Sequence, residues 1–298
     1  MKDSPSLKTL FYQRFRRGIV VSVDYVERFP LPMEWEYEDT NVYLLRTEEG
    51  PWLIDAGEIH ETNFEDLTRG LADAGVTWGD VQGVLATHLH PDHVGLAFKI
   101  LEESPSTRFL IPSGPSYEKR TEERTRRWLY RIGIPESLHD SFVEEITSYP
   151  YLDFMADLKE TAETLDPGTT LELGDRTVDV IKAHGHTPNQ VVYYLPGDEL
   201  LFSGDHVLLH ETPNVSLFPE SLDRNPLRDF HDSLRSLLDR EISTVYPGHG
   251  QSFRNGHDRI QELLDHHGTR MGHIRRALSG DPKTALEVAE QIPRGNKE

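Results

Sequence analysis

Apolar residues recur along this chain with two periods, one of strands and one of helices. In "NVYLLRTEEGPWLIDAG" two short apolar runs flank Glu48-Glu49-Gly50-Pro51, which predicts strand, turn and strand. Phe64, Leu67, Leu71 and Ala74 then share one helical face, and Gly75 predicts the stop. "VQGVLAT" reads as a short buried strand, Val94, Ala97, Phe98 and Leu101 return to helical spacing, and "RFLIPS" supplies the next strand. Further on, "TLELG", "TVDVIKA", "VVYYLPG" and "ELLFSGD" read as strands. Asn225 and Pro226 open a helix with Leu227, Phe230, Leu234, Leu237 and Leu238 on one face. "STVYPGHG" is a last strand and turn. Ile260, Leu263, Leu264, His267, Met271, Ile274 and Leu278 stripe a C-terminal helix, and a second short helix covers 283–292.

The stretch 114–166 interrupts the strands. Trp128, Leu129 and Ile132 suggest one helix, and Leu138, Phe142 and Ile146 another. Tyr149, Tyr151, Phe154 and Met155 read as packing residues. This predicts a helical insertion of lid-like character. Two blocks of strands, each with helices, predict an α/β layered fold. The organisation expected is a catalytic domain over 1–255, containing the insertion, and a C-terminal helical extension over 256–298.

Composition narrows the function. The chain has 298 residues, 36% of them hydrophobic, and no apolar run long enough to cross a membrane. Its N-terminus lacks the apolar core of a secretory signal, so a cytoplasmic location is expected. With no cysteine, thiolate nucleophiles and sulfur-ligated metals are excluded. A net charge of −20 disfavours nucleic acid as a partner. The basic stretch Lys119, Arg120, Arg124, Arg126, Arg127 and Arg131 is interrupted by Glu122 and Glu123 and reads as a solvated helix face. Trp35, Tyr37, Tyr149, Tyr151 and Phe154 are read as core or surface before pocket.

The chemistry concentrates at strand ends. "ATHLHPDHVG" holds His88, His90, Asp92 and His93, and three more signals follow predicted strands: His186 in "AHGHTPNQ", Asp205 in "LFSGDHV" and His249 in "YPGHG". Together they offer five imidazoles and two carboxylates, enough for two metals. In an extended stretch alternate side chains share a face, so His88 and His90 can serve one ion. Pro91 then turns the chain, and Asp92 and His93 can aim at a second ion. His184 and His206 are read as structural, and His257, His266, His267 and His273 as surface or packing residues.

"THLHPDH" followed by isolated His, Asp and His resembles the metallo-beta-lactamase-fold hydrolase superfamily, over about residues 20–255. The overall form is similar to its glyoxalase II-like branch, although the basic residues that would bind glutathione are not identifiable. The resemblance implies a four-layer αβ/βα sandwich with the metals at one edge. It implies one metal on His88, His90 and His186, a second on Asp92, His93 and His249, and Asp205 bridging them. It implies that Asp55 supports the metal loop without being a ligand; a polar strand end before Gly57 is the alternative. Here "GHTPNQ" stands where "GHTPGH" is commoner, which leaves the ligand intact.

The expected activity is metal-dependent hydrolysis of a small ester, thioester or lactone, by a hydroxide shared between two divalent ions and with Asp92 relaying its proton. Zinc is the first expectation, with iron or manganese as alternatives. Two other activities of the same superfamily stand as alternatives: a metal-dependent endoribonuclease and a mononuclear-iron sulfur dioxygenase. A small-molecule substrate is the expected partner, no membrane is involved, and a homodimer is left open.

Overall fold

The computed structural model describes residues 23–33, 39–60, 62–114, 121–148 and 151–292. Trp35, Tyr37, Tyr149, Lys119 and Arg120, named above, lie outside the described residues. Six strands form the first sheet in chain order: β1 Val26–Pro32, β2 Asp39–Leu45, β3 Trp52–Ile54, β4 Gly83–Leu85, β5 Arg108–Pro112 and β6 Glu163–Leu165. The pairs β1/β2 and β2/β3 are antiparallel; from β3 to β6 the sheet is parallel. The remaining strands are β7 Thr170–Leu173, β8 Arg176–Lys182, β9 Val191–Leu195, β10 Leu200–Gly204 and β11 Thr244–Pro247. They pair in the order β11-β10-β9-β8-β7, antiparallel except for β10/β11.

Side-chain alternation makes the layers. Along β2, Tyr43 and Leu45 point toward the second sheet and join Val178, Val180, Tyr193 and Phe202 in one apolar cluster. Val42 and Leu44 point the other way, toward helices α1 Asn63–Asp73, α3 Ala97–Glu103 and α6 Tyr151–Thr161. Between the histidine stretch and α3 lies a single turn, α2 Pro91–Val94. Outside the second sheet, α7 Pro226–Leu237 and α8 Gly256–Ala277 bury Phe230, Leu234, Ile260 and Leu263 against Val192, Leu201 and Val245. Two sheets lie back to back with helices outside both, an αβ/βα sandwich.

Local signals account for most boundaries. In α1, Leu67 and Leu71 are buried, acidic Glu65 and Asp66 occupy the first turn, and Gly75 follows in the left-handed region. The side chain of Asn225 accepts a hydrogen bond from the Arg228 amide and Pro226 begins α7, as its sequence predicts. At the C-terminus, α9 Ala285–Gln291 is capped by Thr284.

The insertion differs from expectation in three respects. Its helices are α4 Glu122–Ile132, α5 His139–Thr147 and α6, but Glu163–Leu165 returns as a strand on β5 and completes the first sheet. In α5 the buried face is His139 and Val143, and Leu138 is exposed, because the helix begins one residue after Leu138. The basic stretch is also not simply a solvated face. Trp128 Nε1 donates to the Leu217 carbonyl at 2.5 Å and Arg124 Nε to the Pro219 carbonyl at 2.6 Å. Arg131 donates to the Leu222 carbonyl, so these side chains bind an adjoining loop.

Candidate metal centre

Four strand ends converge at one edge of the sandwich. His88 lies three residues beyond β4, His186 four beyond β8, Asp205 directly after β10 and His249 two beyond β11. The seven residues expected from the sequence meet in two groups sharing Asp205. One is His88, His90, His186 and Asp205; the other is Asp92, His93, Asp205 and His249. Within each, one nitrogen or oxygen per residue lies within 4.8 Å of the others.

Each imidazole but one is oriented by what its outer nitrogen meets. The Asn214 carbonyl accepts from His186 Nδ1 at 2.8 Å, and the Asp39 carbonyl from His249 Nδ1 at 2.8 Å. Asp55 Oδ2 accepts from His93 Nδ1 at 2.8 Å. Thr87 gives its own proton to Asp55, so its oxygen accepts from His88 Nδ1 at 3.0 Å. A carbonyl or carboxylate can only accept, so these partners place a proton on Nδ1 and turn Nε2 inward, where it offers a lone pair whenever the ring is neutral. His90 is turned around: its Nδ1 meets His88 Nε2 at 3.0 Å and His186 Nε2 at 2.9 Å. One proton on His90 Nδ1 can satisfy only one of those two lone pairs. Such a convergence of acceptors fits a cation.

Asp205 reaches both groups. Its Oδ2 stands 3.4 Å from His186 Nε2, and its Oδ1 stands 3.3 Å from both His93 Nε2 and His249 Nε2. Asp92 Oδ2 lies 3.3 Å from His249 Nε2 and 3.6 Å from His93 Nε2. The buried atoms His93 Nε2 and Asp205 Oδ1 make no hydrogen bond of proper geometry with the described residues, a cost a bound cation would remove. Five imidazoles and two carboxylates without thiolate suit zinc, iron or manganese, so the donor set fits the metals expected.

Charge is distributed unevenly between the groups. Burial and the neighbouring histidines hold His88 well below its usual pKa, and burial and His186 bring His90 to about 3. Both imidazoles stay neutral, as a metal ligand must. Burial opposes the imidazolium of His93, but Asp92, Asp205 and Asp55 outweigh it and hold the pKa well above the usual value. His249 is raised to about 10, burial being overcome by Asp205 and Asp92. Burial likewise opposes both carboxylates, yet His93 and His249 bring Asp92 to about 2 and hold Asp205 well below its usual range. Without an ion, protons on His93 and His249 supply the positive charge that the carboxylates call for.

Glycine is required beside this centre. A Cβ on Gly248 would stand 2.5 Å from Asp205 Oδ1 and 2.7 Å from His93 Cε1. Gly204, at φ 48°, brings its backbone against Thr87, where a Cβ would stand 2.6 Å from Oγ1.

Asp55 ties down the histidine stretch: it accepts from the Thr87 amide at 2.7 Å as well as from Thr87 Oγ1 and His93. His206 turns away into the helix layer, buried, with Nε2 3.0 Å from Ser233 Oγ. His184 meets Arg224, and His267 packs against Phe230 and His231. Residues not singled out from the sequence also matter. Asn41 Nδ2 donates to the Pro247 and Gly250 carbonyls at 2.7 and 2.9 Å, Tyr43 Oη to the Pro247 carbonyl at 2.7 Å, and Thr40 Oγ1 to the Asp92 carbonyl at 2.9 Å. The available signal was Thr40-Asn41, polar residues that follow Asp39 at the head of a strand ending in Val42-Tyr43-Leu44-Leu45; both are fully buried.

Comparison with known proteins agrees with this geometry. Residues 36–249 match the family model of the metallo-beta-lactamase superfamily. A probable metallo-hydrolase of Bacillus subtilis, YqjP, is 24% identical over 270 residues, covering 88% of this chain and 83% of that protein. An atrochrysone carboxyl ACP thioesterase of Aspergillus fumigatus is also 24% identical, covering 88% and 69%. Among solved structures, a metallo-beta-lactamase family protein of Thermus thermophilus superposes with a TM-score of 0.70 at 26% identity, over 91% of this chain and 89% of that one. Among the described residues no helix is long and apolar enough to cross a membrane.

Proposed function

The chain belongs to the metallo-beta-lactamase superfamily, and from that premise we propose that it is a dinuclear metal-dependent hydrolase of a small ester, thioester or lactone. The observation that carries this is the pair of ligand groups sharing Asp205, with the Nε2 atoms of His88, His186, His93 and His249 turned inward. His88, His90 and His186 would hold one ion, Asp92, His93 and His249 the other, and Asp205 both. Two divalent ions there would lower the pKa of water toward about 7 and neutralise charge developing on a carbonyl oxygen. Asp92 would accept the proton of the attacking water and pass it to the leaving group. Asp55, Thr87 and the carbonyls of Asp39 and Asn214 keep the imidazoles in the tautomer that ligation needs.

The thioester option has its own support in the similarity to the fungal ACP thioesterase. We place the chain with glyoxalase II-like hydrolases on its insertion, its Gly204-Asp205-His206 bridge and its C-terminal helices. Against the endoribonuclease alternative stand the net charge of −20 and the engagement of Arg124 and Arg131 with backbone carbonyls. We further infer zinc as the resident metal and the cytoplasm as the location. The test is metal analysis followed by a panel of p-nitrophenyl esters, thioesters, lactones and lactams. About two zinc or manganese ions per chain and a hydrolysis abolished by His90→Ala are expected. One iron per chain, or hydrolysis untouched by His90→Ala, overturns the proposal.

A further inference from the structure

Between β10 and α7 the chain runs from Asp205 to Asn225 with only one short helical turn, Pro219–Ser221. A connection of that length must be tied down to hold one position. Its first part is held by Arg259 of α8, whose Nε and Nη2 donate to the Leu208 and Glu211 carbonyls at 2.7 and 2.8 Å. The later part is held by α4 of the insertion. Arg124, Trp128 and Arg131 fall at spacings of four and three, on one helical face. Each donates to a separate carbonyl: Pro219 at 2.6 Å, Leu217 at 2.5 Å, and Leu222. Between these two sets of ties lies Asn214, whose carbonyl accepts from His186 Nδ1 at 2.8 Å.

A second tie runs from the insertion to the other side of the same ligand group. Tyr151 Oη of α6 donates to the carbonyl of Leu89, the residue between His88 and His90, at 2.9 Å. Its ring is itself held, stacked on Phe154 at 5.1 Å, and Phe154 meets Phe98 edge-on at 5.1 Å. The ligands of the second group are supported elsewhere: His249 by the Asp39 carbonyl, the 247–250 turn by Asn41 and Tyr43, and His93 by Asp55.

We propose that the insertion is a fixed bracket for the first ligand group rather than a moving lid. Trp128, Arg124 and Tyr151 act as positioning residues for His186 and the His88–His90 stretch through backbone carbonyls. The bracket gives Arg124 and Arg131 of α4 a role in a chain of net charge −20: they are donors to a loop. The insertion thus reaches the first ligand group from two sides, at the Leu89 carbonyl through Tyr151 and at the loop that carries Asn214 through α4. Resting on the dinuclear reading above, the inference makes a one-sided demand: loosening the bracket weakens one metal site and spares the other.

The experiment titrates metal-free protein with zinc against a chromophoric chelator, resolving two binding constants. The variants are Trp128→Phe, Tyr151→Phe and their combination, each keeping a ring and deleting one donor. Arg126→Gln is the control, since among the described residues Arg126 of the same helix pairs with surface Glu122 and Asp140 at 2.9 and 2.6 Å. Wild type must first bind two ions; if it binds fewer, the dinuclear reading itself fails, before any variant is measured. Removing a direct partner of a metal ligand costs about 10–100-fold in affinity; Trp128 acts through Leu217, three residues from Asn214, and Tyr151 through the Leu89 carbonyl, so the double variant is expected to lose about tenfold in one constant only. The His186 Nδ1–H of the metal-free double variant should also exchange faster by NMR. Two unchanged constants in a folded double variant overturn the bracket. So does a fall in both constants together with the melting temperature, or an equal loss in Arg126→Gln.

Discussion

Asp55→Asn isolates the part played by orientation in this centre. Asp55 sits at φ 61°, a left-handed conformation that asparagine also tolerates, so the substitution leaves the backbone in place. Its carboxylate is buried and accepts three hydrogen bonds: Thr87 N at 2.7 Å, Thr87 Oγ1 at 2.9 Å and His93 Nδ1 at 2.8 Å. An amide can keep its oxygen toward the Thr87 amide, but its NH2 group then faces the other two donors. Leaving two buried donors unmatched costs about 2–6 kcal/mol at the usual 1–3 kcal/mol each. His93 can relieve its share by moving the proton to Nε2, where Asp205 Oδ1 waits 3.3 Å away. That relief consumes the lone pair aimed at the second metal. The variant should therefore fold with a lowered melting temperature and bind the second ion about 10–100-fold more weakly, the first nearly normally. The assay is competitive metal titration beside thermal unfolding of the metal-free form. Two ions bound with wild-type affinity would refute the reasoning.

Three further outcomes follow from the geometry. Gly248→Ala pushes a methyl group to 2.5 Å from Asp205 Oδ1; overpacking of this kind costs about 1–3 kcal/mol, and calorimetry with metal analysis should show reduced stability and metal content together. Asn41→Leu deletes the ties to the Pro247 and Gly250 carbonyls, so weaker binding at the His249 side is expected, read by the same titration. The metal-free protein should be most stable near pH 6.5. Burial holds buried His206 at about 3, so the unfolded chain takes up that proton first as pH falls below 6.5, and by pH 4.5 about 2 kcal/mol is lost. His249 is raised to about 10, so its contribution is complete below 6.5 and fades as pH climbs toward 10. Melting temperatures in chelator from pH 4.5 to 9.5 test this; a steady rise through pH 9 would contradict it.

What the sequence revealed, and what it hid, follows physical lines. The ligands were legible because their chemistry is local: "THLHPDH" concentrates donors, and His186, Asp205 and His249 each stand just past an apolar run. α1 and α7 were legible because their buried faces repeat at helical spacing and their ends carry Gly75 or Asn225-Pro226. β1 was not, because "VERFPLP" contains Pro30 and Pro32, which only an edge strand accepts. β6 was hidden by brevity: of its three residues only Leu165 is buried. The supports of the centre were hidden for a different reason. Asn41 and Tyr151 donate to carbonyls, and Asn214 offers its own carbonyl to a histidine, far away in sequence, so nothing nearby marks them. Arg124 and Arg131 looked like solvated charge until the 205–225 loop supplied their acceptors.

The central claim is that two metals share Asp205. A crystal of the metal-loaded protein, measured at the absorption edge of the bound metal, addresses it directly. Two anomalous peaks are predicted, one among His88, His90 and His186 and one among Asp92, His93 and His249, with Asp205 reaching both. A single peak, or peaks away from Asp205, would contradict the account.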